Sequence, residues 1–166
     1  MALIRINIGA HARSGLPHRP AGSLRRGYTL IEMLLVLVVL AILTVIVVPT
    51  YRDFVLRANR AVGRGAILDV MARQEQYYVS HKSYANTLEA LGLPATYYVD
   101  RLAAVTVAGE AVYQIQLIVQ SSVYQGVRAI PRNRQSRDSP CMTLAIGKRG
   151  LKTVSGTDAG RPFSCW

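Results

Sequence analysis

Acidic residues are scarce: the 166 residues hold 9 Asp+Glu against 20 Lys+Arg, a formal net charge of +11. A surplus of that size bears on solubility and non-specific binding more than on fold. It is also uneven. Five arginines and no acid fall within residues 1–27, so the remainder lacks the composition of a dedicated nucleic-acid protein. Histidine is rarer still, and His81 is the one histidine beyond residue 27. A Ser/His/Asp relay has to be built on it, yet no serine sits in a nucleophile-elbow pattern. HExxH, CxxC and a phosphate-cradling glycine loop are all missing. These absences weigh against an enzyme and imply neither a cofactor nor a metal site. His81 itself lies among Ser80, Lys82 and Ser83, the surroundings of a solvated surface residue.

There are two cysteines, Cys141 and Cys165, both near the C-terminus. An even pair beyond a membrane segment suggests one disulfide in an oxidising compartment, with two separate buried thiols as the alternative.

The chain does contain a long apolar run. Met33–Val48 has Thr44 as its only polar residue, and the full stretch Tyr28–Val48 is 21 residues long with one charge, Glu32. About 20 apolar residues suffice to cross the hydrocarbon core as a helix, and helix is the state that satisfies the backbone there. Arg25 and Arg26 precede the run directly, which places the N-terminus in the cytoplasm by the positive-inside rule, although Arg52 and Arg57 follow the span and reduce the contrast. A secretory signal peptide has a shorter apolar core followed by a small-x-small site. Here the core ends in Val47-Val48-Pro49-Thr50-Tyr51, which offers no such site. A plain anchor has no use for Glu32, since a carboxylate within a span costs roughly 2.5–3.5 kcal/mol on translocon scales.

The boundary reads Arg25-Arg26-Gly27-Tyr28-Thr29-Leu30-Ile31-Glu32. This octet closely resembles the type IV prepilin motif, with tyrosine where phenylalanine is usual. The resemblance implies a cleaved leader, residues 1–27, cut between Gly27 and Tyr28 by a prepilin peptidase, and N-methylation of Tyr28. It also implies that Glu32 meets the amine of a neighbouring subunit during assembly. The physical logic is that Glu32 stands four residues from the new ammonium and faces the same side of a helix. It also occupies the first turn, where the helix dipole favours negative charge. Pro49 lies seventeen residues after Glu32, as in similar pilins, where it bends the helix. Many relatives carry a second proline where this chain has Asp69. The lower half of the helix is therefore straighter or bends instead at Gly63 and Gly65.

Helical periodicity continues over 50–79, making 28–79 one long helix. Tyr51, Phe54, Ala58, Ala61, Gly65, Leu68 and Ala72 form a stripe expected to face the core, and Arg57, Arg60 and Arg64 a solvated face or a contact with a neighbouring subunit. Asp53–Arg57 and Asp69–Arg73 are i,i+4 pairs. The head, 80–166, opens with a joining loop, 80–98, where Gly92 and Pro94 break structure. Strands are expected over Tyr98–Val107, Tyr113–Gln120, Met142–Ile146 and Leu151–Val154, with a turn at Gly147–Gly150. The fold class is α+β: a type IV pilin fold with one long helix on a four-stranded antiparallel meander. By resemblance, Cys141 and Cys165 bound the disulfide-closed region of type IV pilins. Closure of that loop is worth about 3 kcal/mol in the chain-entropy model. The ending Cys165-Trp166 is similar to minor pilins of the PilE kind.

Three functions follow from the resemblance. The first is a pilus subunit in the inner membrane and then in a cell-surface filament. Its partners are other pilin subunits, the prepilin peptidase and the inner-membrane assembly machinery, and its roles are twitching motility, adhesion or DNA uptake. The second is a DNA-binding module, using Arg128, Arg132, Arg134 and Arg137 in a loop bracketed by Pro131 and Pro140; no aromatics interleave there to stack bases. The third is a pseudopilin of a type II secretion system. The major subunit of that class typically has a calcium site in its C-terminal loop and no such disulfide, and Asp158 is the only acid in 155–166.

Overall fold

A computed structural model describes residues 27–166. The expected leader thus lies outside the described residues except for Gly27. One helix, α1 (Leu30–His81), is followed by five strands: β1 (Tyr97–Val99), β2 (Tyr113–Gln120), β3 (Val123–Pro131), β4 (Leu144–Gly147) and β5 (Lys152–Val154). The strands form one antiparallel sheet in the order β1-β2-β3-β4-β5, a simple meander. Contacts divide the chain into two units, the second being Ala41–Trp166.

In the first unit, α1 starts with a side-chain cap. The Thr29 hydroxyl accepts from the Glu32 backbone N–H at 3.2 Å, the geometry of a Thr-x-x-Glu helix start. The T-L-I-E tetrad therefore has a local structural role in addition to any processing role. Among the described residues α1 is the one helix with the length and composition to cross a membrane.

In the second unit, α1 runs through Pro49 and past the expected Val79 to His81. Its core-facing stripe is Asn59, Gly63, Ala66, Ile67, Val70 and Gln74. The stripe expected from periodicity, Tyr51 to Ala72, is exposed instead. The correction has a steric cause: Gly63 lies against the ring of Tyr113, and a Cβ there would come within 2.9 Å of it. Close approach of helix to sheet, and no helix break, explains Gly63, while Gly65 faces open space. Ile67 and Val70 pack with Tyr113, Ile115, Val127, Ala129 and Leu144 in a single core. Gln74 is fully buried and satisfied, its amide exchanging two 2.9 Å hydrogen bonds with the backbone of Ala85. That clamp ties the joining loop to the helix.

Two strand expectations need correction. The first strand is short, because the Asp100 carboxylate accepts from the N–H groups of Leu102 and Ala104 and turns the chain immediately after Val99. β3 was not expected at all. It joins β2 through Ser121-Ser122, both at positive φ (49° and 62°), so that a two-residue hairpin turn is built without the usual Asn-Gly signal. Gly126 then sits mid-strand, opposite an irregularity between Ile118 and Val119. Of the two expected helical ion pairs, Asp69–Arg73 forms at 3.0 Å. Asp53–Arg57 is not an ion pair among the described residues.

Candidate nucleic-acid interface

The segment between β3 and Cys141 is held by its inward residues. Asn133–Arg137 forms a 3-10 turn, in which side chains three apart eclipse one another. Gln135 and Asp138 share the side that meets the helix, so Arg134 and Arg137 share another. Gln135 is fully buried. Its Oε1 accepts from Asn59 Nδ2 at 2.9 Å, and its Nε2 lies within 3.2 Å of the Leu56 carbonyl, the Tyr113 hydroxyl and Asp138 Oδ2. Arg60 donates to Asp138 through Nε at 2.8 Å and Nη2 at 2.6 Å. This bidentate bond to Asp138 raises the Arg60 pKa above its ordinary value despite partial burial. Burial likewise raises the Tyr113 phenol. Arg60 is thus no solvated residue, and Arg64 also turns to the head, toward the Cys165 carbonyl at 3.5 Å. Asn133 fixes the other end by donating to the carbonyls of Ala108 and Ala111, both at 2.9 Å.

This anchoring opens a cleft of about 420 Å³ between the helix, the β1–β2 loop and the 3-10 turn. Arg52, Arg101, Arg134 and Arg137 line it together with Tyr51, and no acid does. None of the four arginines is in an ion pair among the described residues. A smaller adjoining cleft, about 180 Å³, adds Arg132 and contains one acid, Glu110. Four guanidinium forks around one concavity suit the planar, multidentate recognition of phosphate oxygens. Tyr51 is 65% exposed and adds a ring on which a base can stack.

The structure therefore brings Arg134 and Arg137 together and leaves Arg132 at the margin. Arg128 is not in a loop. It lies on β3, opposite Gln116 on β2, and its guanidinium donates to Gln116 Oε1 at 3.1 and 2.8 Å. Arg132 similarly donates to Gln114 Oε1. Sequence reading missed Tyr51, Arg52 and Arg101, which are distant along the chain; the Asx turn at Asp100 was the one local signal for the Arg101 loop. Cys141 and Cys165 are joined in a disulfide with Cα atoms 5.7 Å apart, and Cys141 stands four residues after Arg137.

The family described as type IV minor pilin ComP, DNA uptake sequence receptor, has a model that matches residues 49–145. The chain belongs to that family. The match to this minor pilin family takes in every residue that lines the arginine cleft. A second family model, the prokaryotic N-terminal methylation motif, matches residues 22–48 of this minor pilin. The minor pilin is also 35% identical over 74 residues to the type IV wide pilus major component PilA4 of Thermus thermophilus, across 43% of this chain and 56% of that protein. It thus spans about half the length of that curated relative.

Proposed function

We propose that this minor pilin is a non-enzymatic filament subunit whose head captures DNA in the arginine cleft. The observation that carries the reading is the convergence of Arg52, Arg101, Arg134 and Arg137 on one acid-free concavity, inside the region matched by a family described as a DNA uptake sequence receptor. Phosphate contacts from such forks supply affinity, and base contacts supply any sequence preference. In this reading the prepilin peptidase cuts between Gly27 and Tyr28, and Tyr28 is methylated. The head lies outside the cytoplasm, held in the inner membrane by residues 28–48. Glu32 then pairs with a neighbouring subunit's amine, Pro49 bends the helix, and the exposed stripe through Tyr51, Phe54 and Leu68 packs on other pilin subunits. The assembly machinery draws the subunit into the surface filament. The Cys141–Cys165 disulfide favours a pilus over a type II secretion pseudopilus.

The test is duplex DNA binding by the full chain in detergent. Arg134→Gln combined with Arg137→Gln is expected to weaken binding to all sequences alike and to make its salt slope shallower by about 2. Unchanged affinity in the double variant sinks the DNA reading. For the assembly part, mass spectrometry of sheared filaments is expected to find the chain beginning at a methylated Tyr28; an intact leader there contradicts it.

A further inference from the structure

The arginine cleft is built on the stretch of helix that immediately follows the apolar run. The apolar run Tyr28–Val48 has the roughly 20 residues that a helix needs to cross the hydrocarbon core. Tyr51 and Arg52 follow Val48 by three and four residues, about 5 Å along a helix, and line the cleft together with Asn59. Its rim has the composition of a membrane-interface surface. Tyr51, which lines the cleft, is an aromatic 65% exposed, the residue type that forms aromatic belts at membrane interfaces. Beside Arg101, at the tip of the β1–β2 loop, Leu102 is 87% exposed, with Val105 and Val107 also open to solvent. These side chains make no use of a solvated position, and no acid lines the cleft beside them.

We propose that, before the subunit enters a filament, this rim seats the head on anionic phospholipid headgroups of the leaflet it emerges from. Arg52, Arg101, Arg134 and Arg137 take lipid phosphates, and Leu102 enters the acyl boundary. Charge complementarity and continuity with the membrane span select this occupant, since basic residues just beyond a span are drawn to anionic lipid within a Debye length. Extraction into a filament removes the lipid and opens the same arginines to other polyanions. The inference rests on the membrane span and stands whether or not the cleft binds DNA.

The experiment is hydrogen–deuterium exchange of the full chain in nanodiscs of phosphatidylcholine alone and of phosphatidylcholine with phosphatidylglycerol. Residues 100–112 and 132–140 are expected to exchange severalfold more slowly in the anionic discs. Arg101→Gln combined with Arg134→Gln is expected to abolish that difference while exchange in β2 and β3 stays as in the unsubstituted chain, reporting an intact fold. Equal exchange in both discs overturns the proposal. Inorganic phosphate that produces the same slowing in neutral discs at matched ionic strength also overturns it, assigning the cleft to free phosphate.

Discussion

Arg60 grips Asp138 with two hydrogen bonds across a sequence gap of 78 residues, and Asp138 is 1% exposed. The pair lies directly under the turn that presents Arg134 and Arg137. Helix, polar anchor and basic cleft are therefore one mechanical unit, and loosening the anchor is expected to disperse the arginines.

Asp138→Ala strands the part-buried Arg60 guanidinium. The expected cost is about 3 kcal/mol, the lower end for breaking a buried pair. Replacing both residues by apolar side chains of similar volume recovers most of that loss. Chemical denaturation of the detergent-solubilised chain measures both; a single variant as stable as the parent contradicts the anchor.

Gly63 and Gly65 separate close packing from flexibility. Gly63→Ala drives a methyl toward the buried Tyr113 ring and is expected to lose about 1–3 kcal/mol. Gly65→Ala meets nothing within 4 Å and gains up to about 1 kcal/mol of helix propensity. Two variants of like sign in a melting experiment would show that the helix does not approach the sheet this closely.

Removing the disulfide by Cys141→Ser with Cys165→Ser is expected to destabilise the head by about 3 kcal/mol. DNA affinity is expected to fall with it, because Cys141 closes the arginine-bearing segment. Melting with and without reductant reads the first effect, and titration of duplex DNA reads the second.

The alkaline limb of stability has a definite sign. Burial, reinforced by Glu75, pushes the Tyr124 phenol up to about 12. The fold thus favours the neutral phenol: the contribution is fully present below the unfolded value of about 10 and is lost as pH rises through about 12. Tyr124→Phe is expected to leave stability near pH 7 little changed and to move alkaline unfolding to higher pH. Phenolate absorbance alongside circular dichroism follows both, and earlier unfolding in the variant would contradict the assignment.

The long helix, the disulfide pair and four of the five strands were legible because each rests on a local pattern or a motif. Tyr113–Gln120 alternates, and Gly147–Gly150 is rich in turn formers. β3 was hidden because Pro131 and Pro140 marked the segment as loop, while the turn before it uses two serines in a conformation that glycine or asparagine usually signals. The helix face was misread because its core stripe contains Asn59, Gly63 and Gln74, polar or small residues buried by specific partners. The cleft was half legible. Arg134 and Arg137 are neighbours in sequence, but Arg52 and Arg101 join them only through the tertiary fold, and Arg128 leaves them by entering a strand.

The most direct test of the account is the salt dependence of duplex DNA binding by the full chain and by Arg101→Gln with Arg134→Gln. Four phosphate-contacting arginines predict a log–log slope of roughly −3 to −4 for the unsubstituted chain, shallower by about 2 in the variant. A parallel slope in the variant, or binding indifferent to salt, would contradict the claim that this cleft holds the DNA backbone.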